Sequence, residues 1–159
     1  PLGTATASTH DDKIVIATVF RAGLPLHTGF LNMFDHADNA FVSAFRFYKD
    51  DEHHIVDVHI EYIAAPSLND RTLLLVDPML ATGESMELAW KAFLTKGKPA
   101  KLQMACVIAS QQGVKHMAEL FPGDDVTLWC AAIDPVLDEH KYIVPGLGDA
   151  GDLAFGEKL

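Results

Sequence analysis

The sequence predicts a doubly wound α/β fold with a mainly parallel, five-stranded sheet, and two observations carry that prediction. Runs such as Lys13–Phe20 and Leu102–Ala109 are almost wholly apolar and rich in β-branched residues, as strands covered on both faces must be. Between the runs lie segments with helical spacing of apolar residues, and that alternation builds a parallel sheet with helices on its faces. At 159 residues, 49% hydrophobic and 21% charged, the chain reads as one globular domain over 1–159 with a sizeable core.

The first strand, Lys13–Phe20, ends at Arg21-Ala-Gly23. Leu26, Phe30, Leu31 and Phe34 then give residues 24–36 one apolar helical face, with Pro25 tolerated in the first turn. Arg21 therefore sits at the carboxyl end of a buried parallel strand, where open α/β sheets bind ligands. A second strand, Ala40–Tyr48, carries Arg46 near its end. Residues 56–62 alternate apolar and polar, so this strand has one wet face and is expected in an antiparallel hairpin, about 47–70, outside the main sheet. His53, His54 and His59 read as exposed hairpin residues, because no cysteine or second cluster joins them as metal ligands.

The central stretch is Leu73–Ser85, LLLVDPMLATGES. A buried strand gives way to Asp77 and Pro78, then to a turn of small residues, and residues 85–96 look helical until Gly97 stops them. Strand, tight turn and helix start together make an anion cradle, since the backbone N–H groups there have no intrahelical partner. It is not a Walker phosphate loop, which needs a Gly-Lys-Ser/Thr ending. Residues 102–109 and 126–133 complete the strands around a short helix at 112–120, and glycine-punctuated loop is expected from Pro145 onward. In the tail, Tyr142–Asp152, closely spaced glycines expose backbone donors and acceptors to a planar ligand, while Ile143 and Pro145 offer apolar faces.

The formal net charge of −10 argues against a nucleic-acid surface and requires a polyphosphate ligand to be held by a few local cations, helped by a divalent ion. Cys106 and Cys130 lie in apolar runs and read as buried free thiols of a cytoplasmic protein. No run reaches the roughly 18 apolar residues of a membrane span. The chain opens at Pro1 without Met, which reads as an incomplete N-terminus.

Arg21-Ala-Gly-Leu, Ser43–Arg46, Asp77–Ser85, Ala132–Asp134, Asp138–His140, Tyr142–Asp152 and Phe155-Gly156 follow in an order and spacing that resembles the uracil phosphoribosyltransferases, of the type I phosphoribosyltransferase family. The resemblance spans nearly the whole chain, with a base-binding tail over about 134–159. It implies transfer of a phosphoribosyl group from 5-phosphoribosyl 1-diphosphate to uracil, giving UMP and diphosphate, with Mg²⁺. By the same resemblance Arg21, Arg46 and Asp77 are catalytic, the two arginines contacting diphosphate. Asp77, Pro78, Met79, Leu80, Ala81, Thr82, Gly83, Glu84 and Ser85 hold ribose and 5-phosphate, with Asp149 on the same side. Tyr142, Ile143, Gly148, Asp149 and Ala150 meet uracil, largely through backbone.

Two departures bear on the site. Pro78 follows Asp77 where many phosphoribosyltransferases have a second acid, so Mg²⁺ is expected to be held mainly by substrate and water, with no direct protein ligand. Glu84 stands where the uracil enzymes commonly have a small residue. The helical N-terminal region of the family is absent from the sequence. A homodimer or higher homo-oligomer and activation by GTP are expected from the family alone. The alternative reading is a catalytically silent, nucleotide-sensing relative.

Overall fold

The computed structural model describes residues 2–8, 13–50, 55–123 and 125–157, and of residues 44–50 and 55–60 the backbone alone. Five long strands run parallel: β1 (Ile14–Val19), β2 (Asp38–Asp50), β4 (Thr72–Val76), β6 (Lys101–Ser110) and β7 (Val126–Asp134). β3 (Ile55–Ala64) lies antiparallel on the outer side of β2, and β5 (Met79–Leu80) adds a two-residue parallel pairing to β6. The path β3-β2-β1-β4-β6 therefore reverses direction of growth between β1 and β4, since β1 leads to β2 on one side and β4 to β6 on the other.

Period-two alternation divides the sheet residues between two faces. Val15, Leu73, Leu75, Leu102 and Met104 pack with Met86, Ala89, Ala92 and Phe93 of α2 (Glu84–Phe93). Ile16, Leu74, Val76 and Ala105 point the other way, against Leu26, Phe30, Leu31 and Phe34 from α1 (Leu24–Met33) and the turn after it. Phe93 and Leu73 are wholly buried, and a side chain of that size contributes about 1.5–3 kcal/mol by leaving water. A 3₁₀ turn (Leu94–Lys96) ends α2 at Gly97, and α3 (Gln111–Leu120) returns the chain to β7. The helix start at Ser110 is capped by its own hydroxyl, which accepts from the Gly113 N–H at 2.8 Å.

Two expectations are corrected. The hairpin is not outside the main sheet. β2 uses its first residues to pair with β1, Val15 opposite Asp38 through Val19 opposite Val42, then continues past the end of β1. From Phe41 opposite Ala64 to Asp50 opposite Ile55 it gives β3 a hydrogen-bonding edge, with irregularities at Ser43/Ala44 and Tyr48/Asp50, so β3 becomes the edge strand of the same sheet. One wet face is common in antiparallel pairs and is compatible with this position. The tail after Pro145 is not all loop, because α4 (Ala150–Phe155) forms there, and a small antiparallel pair, β8 (Val136–Leu137) with β9 (Ile143–Val144), precedes it. A helix of six residues is too short to show periodicity in sequence. His53 and His54 lie outside the described residues, as does the side chain of His59. Among the described residues no helix is long and apolar enough to cross a membrane.

Candidate active site

The site forms beyond the carboxyl ends of β1 and β4, at the point where the strand order reverses. Within the sheet the two strands are tied by the buried Thr18 hydroxyl, which donates to the Val76 carbonyl at 3.0 Å. The chain then turns sharply through 20–23, with a cis peptide between Phe20 and Arg21. Glycine is required at 23, where a Cβ would lie 1.8 Å from Thr18 Oγ1 and 2.9 Å from the Val19 carbonyl. That close approach turns Arg21 toward the cavity while Phe20 stacks on Phe41, ring centroids 5.3 Å apart.

Asp77 follows β4 directly. Its backbone N–H donates to the Ala105 carbonyl at 3.1 Å, which fixes the residue at the carboxyl end of the central strands. Burial pushes its carboxyl up to about 7, opposed by the Met79 N–H that donates to Oδ1 at 3.4 Å. The chain then runs through β5 to Gly83, which begins α2 with φ of +87° and has no side chain to cap the helix. A Cβ at Gly83 would also meet His116 Cδ2 at 2.8 Å and Met117 Cε at 2.9 Å, so α3 closes the back of the turn. The loop is held from below by the Ser110 hydroxyl, which donates to the Ala81 carbonyl at 2.6 Å. On its open side, residues 79–83 with Ser85 and Met86 line a recess of about 60 Å³. That is room for a small anion rather than an organic ligand, and it faces the start of a ten-residue helix. Glu84, the first residue of α2, is exposed and lines neither the recess nor the larger cavity, and its N–H donates to Thr82 Oγ1 at 3.4 Å.

Acidic side chains shape the tail. Asp138 Oδ1 accepts from the N–H groups of His140 and Tyr142, each at 2.9 Å, and Lys141 between them takes a φ of +69°. Asp134 Oδ2 accepts from the Gly146 N–H at 3.0 Å. Asp149 caps α4, its Oδ1 accepting from the Asp152 N–H at 2.9 Å. These bonds bring the turn at 141–142 and the segment 148–151 over the mouth of β1.

The result is a cavity of about 380 Å³, in the range of small-molecule sites, with walls from the three segments. Arg21, Asp77, Met79, Ala81, Ser85, Tyr142, Gly148, Asp149 and Ala150 line it. Leu80, Thr82 and Gly83 line the adjoining recess. Pro78 stands on neither wall but under Val107, whose N–H donates to its carbonyl at 3.0 Å. Ile143 is 2% exposed, pairs with Leu137 between β8 and β9, and does not line the cavity. The backbone of Arg46 lies in β2 opposite Val58, and its side chain is outside the described residues. Val19, Phe20, Ala22, Lys141 and Gly151 also line the cavity. The sequence reading did not single these out; Phe20, Ala22 and Lys141 are legible only as immediate neighbours of Arg21 and Tyr142.

Among the described residues no three His, Cys, Asp or Glu side chains gather as a metal site. The acids facing the cavity are Asp77 and Asp149, a donor set that fits a hydrated cation carried by a polyphosphate better than a protein-bound ion.

Solved phosphoribosyltransferases share this mainly parallel sheet. The adenine phosphoribosyltransferase of Trypanosoma brucei shares the fold with a TM-score of 0.55 over 86% of this chain and 60% of that one, at 12% identity. A solved Aquifex aeolicus protein, AQ2163, fits more closely: TM-score 0.78 and 31% identity over 93% of this chain and 67% of its own. The uracil phosphoribosyltransferase family model matches residues 1–157. The uracil phosphoribosyltransferase of Porphyromonas gingivalis is 61% identical over 159 residues, all of this chain and 72% of that protein. That of Pyrobaculum arsenaticum is 40% identical over 145 residues, covering 91% of this chain and 66% of its own length. The chain belongs to the uracil phosphoribosyltransferase family.

Proposed function

We propose that this protein transfers the 5-phosphoribosyl group of 5-phosphoribosyl 1-diphosphate to uracil, giving UMP and diphosphate. The observation that carries this reading is the single cavity into which β1, the 77–85 loop and the tail each deliver their residues. The 5-phosphate sits in the recess at the start of α2, where backbone N–H groups and the helix dipole favour an anion. The ribose hydroxyls lie against Asp77, and the diphosphate reaches toward Arg21 and Arg46. The uracil ring lies along the tail between Tyr142 and Ala150.

In the reaction the anomeric C–O bond breaks and its electron pair leaves on diphosphate, while the reacting uracil nitrogen forms the new C–N bond and loses its proton to water. Positive charge develops on the ribose ring and negative charge on the leaving group, so the residues act by position and charge. Arg21 and Arg46 neutralise the leaving diphosphate through charge-assisted hydrogen bonds. Asp77, half-buried on the cavity wall, accepts from ribose hydroxyls and in its ionised form places carboxylate charge beside the developing cation. When bound, Mg²⁺ supplies further neutralisation of diphosphate, held by the substrate and water near Asp77 and Asp149.

UMP formation from uracil and 5-phosphoribosyl 1-diphosphate with Mg²⁺ tests the reading, and no turnover with a folded protein overturns it. Cytosine in place of uracil should be a much poorer substrate, because a reversed donor and acceptor pattern against fixed backbone costs roughly 1–3 kcal/mol per unpaired group. Equal turnover of the two bases would remove the tail from the base site. We further propose a cytoplasmic enzyme, where thiols such as Cys106 and Cys130 stay reduced, working as a homodimer or higher homo-oligomer with GTP as an activator. Sedimentation with and without GTP checks the assembly.

A further inference from the structure

Arg21 does not point into the cavity unsupported. Its Nη2 makes an ion pair with Asp152 Oδ1 at 2.9 Å, and its Nη1 donates to the Gly156 carbonyl at 3.3 Å. Both acceptors come from α4 and its end, more than a hundred residues further along the chain. Asp152 is itself fixed, because its N–H is held by Asp149 Oδ1 in the cap of the same helix. Gly151 lies beside the pair, and a Cβ added there would make ordinary van der Waals contact with Arg21 Nη2 at 3.8 Å and Ala22 Cβ at 3.7 Å. The pair is half-buried, with side chains 37% and 33% exposed, so part of the guanidinium still faces outward. A guanidinium carries more N–H donors than these two acceptors use.

We propose that Asp152 is a positioning residue for the reaction, fixing the Arg21 guanidinium so that its unused edge is presented to the diphosphate. This rests on the reading of Arg21 as a diphosphate ligand. A long arginine side chain free at a strand end samples many rotamers, and ordering it on binding weakens affinity. The Asp152 and Gly156 acceptors order it beforehand, and the planar fork then leaves donors in a fixed direction. The opposite role is also physically open to a carboxylate in this place: Asp152 could occupy Arg21 as an internal anion and compete with diphosphate. Geometry favours positioning, because only one Asp152 oxygen meets one Nη nitrogen instead of the two-pronged pairing that would use up an edge of the fork.

The test is inorganic diphosphate binding by calorimetry, with Mg²⁺ present, alongside steady-state kinetics of the whole protein. Asp152→Asn keeps shape and removes charge, and it should weaken diphosphate binding and raise KM for 5-phosphoribosyl 1-diphosphate by about tenfold, with KM for uracil within about twofold. The same change on an Arg21→Ala background should have almost no further effect, since Asp152 acts through Arg21. Asp152→Glu should recover part of the loss. Tighter diphosphate binding by Asp152→Asn would overturn the proposal in favour of competition. An equal rise in both KM values, or full additivity with Arg21→Ala, would overturn it in favour of a residue that merely orders the tail. Thermal melts identify any variant that fails to fold, and Asp152→Ser then repeats the measurement with a smaller disturbance. If the wild type makes no UMP, the functional reading fails, while the diphosphate measurements still decide the role of Asp152.

Discussion

Asp77 carries a folding cost at the place where the proposed reaction needs a carboxylate. Desolvation favours its neutral form in the folded chain, against a carboxyl that titrates near 4 when unfolded. Below about pH 4 both states are protonated and the group contributes nothing. Between 4 and about 7 the unfolded chain gives up the proton and the native chain keeps it, so stability falls as pH rises through that window and is level above it. The full shift corresponds to about 4 kcal/mol, but Asp77 is partly open to the cavity, and a loss on the order of 2 kcal/mol is expected. Asp77→Asn should remove this slope while lowering turnover, as urea midpoints taken from pH 4.5 to 8 would show. Parallel profiles for variant and wild type would mean the carboxylate is well solvated. Arg21→Ala, by contrast, should cost on the order of 2–4 kcal/mol of transition-state stabilisation with little change in uracil binding, measurable as kcat/KM.

At the scale of elements, the recess at the start of α2 depends on the packing of α3 behind the first turn of that helix. Glu87 binds the two helices: Oε2 pairs with His116 Nε2 at 2.8 Å, and the other oxygen takes the Lys91 ammonium one turn on. Lys91 first, then His116, holds the Glu87 carboxyl below its ordinary value. His116 in turn stands against the place where Gly83 lacks a side chain. Gly83→Ala must therefore force an L side chain into positive φ, costing about 1 kcal/mol or more, and push His116 and Met117 aside as well. The expected result is a loss of about 2–4 kcal/mol in stability and a rise in KM for 5-phosphoribosyl 1-diphosphate that exceeds any change for uracil. Denaturation and kinetics on the one variant separate the two effects, and an unchanged KM would show that the turn tolerates its displacement. The loop itself was legible in sequence because each of its features is local: apolar strand, Asp77, small residues, helix start. Its support was not. Nothing in the spacing of Glu87, Ser110 and His116 announces that α3 meets α2 at the turn, because the two helices meet only once both have packed into the same core cluster on one face of the sheet.

For the molecule as a whole, the same division between local and non-local signals explains what the sequence disclosed. The buried runs around Ile16, Leu74 and Met104 have one interpretation, and they yielded the parallel sheet. The place of β3 was misread because a wet face is common to an isolated hairpin and to a sheet edge, and only the length of β2 beyond β1 distinguishes them. Arg21 was legible from the end of its strand, whereas Asp152 gave no signal, since the pairing depends on the fold of the tail. One property spans every element, the formal charge of −10, and it sets an electrostatic conflict with a polyphosphate substrate. At about 10 mM salt the Debye length is about 30 Å, so a substrate anion approaching the cavity is repelled by most of the molecule. At about 100 mM it falls to about 10 Å, and the anion meets chiefly the charges nearest the cavity mouth, Arg21 and Lys141 with Asp77 and Asp149. Raising salt across this range should therefore increase kcat/KM for 5-phosphoribosyl 1-diphosphate by roughly twofold to fivefold at fixed Mg²⁺, leaving uracil, which is neutral, unaffected. Higher salt should then reverse the gain as the local contacts with Arg21 are screened. A steady fall from the lowest salt onward would show that the local cations dominate the field at every distance and that the net charge is irrelevant to capture.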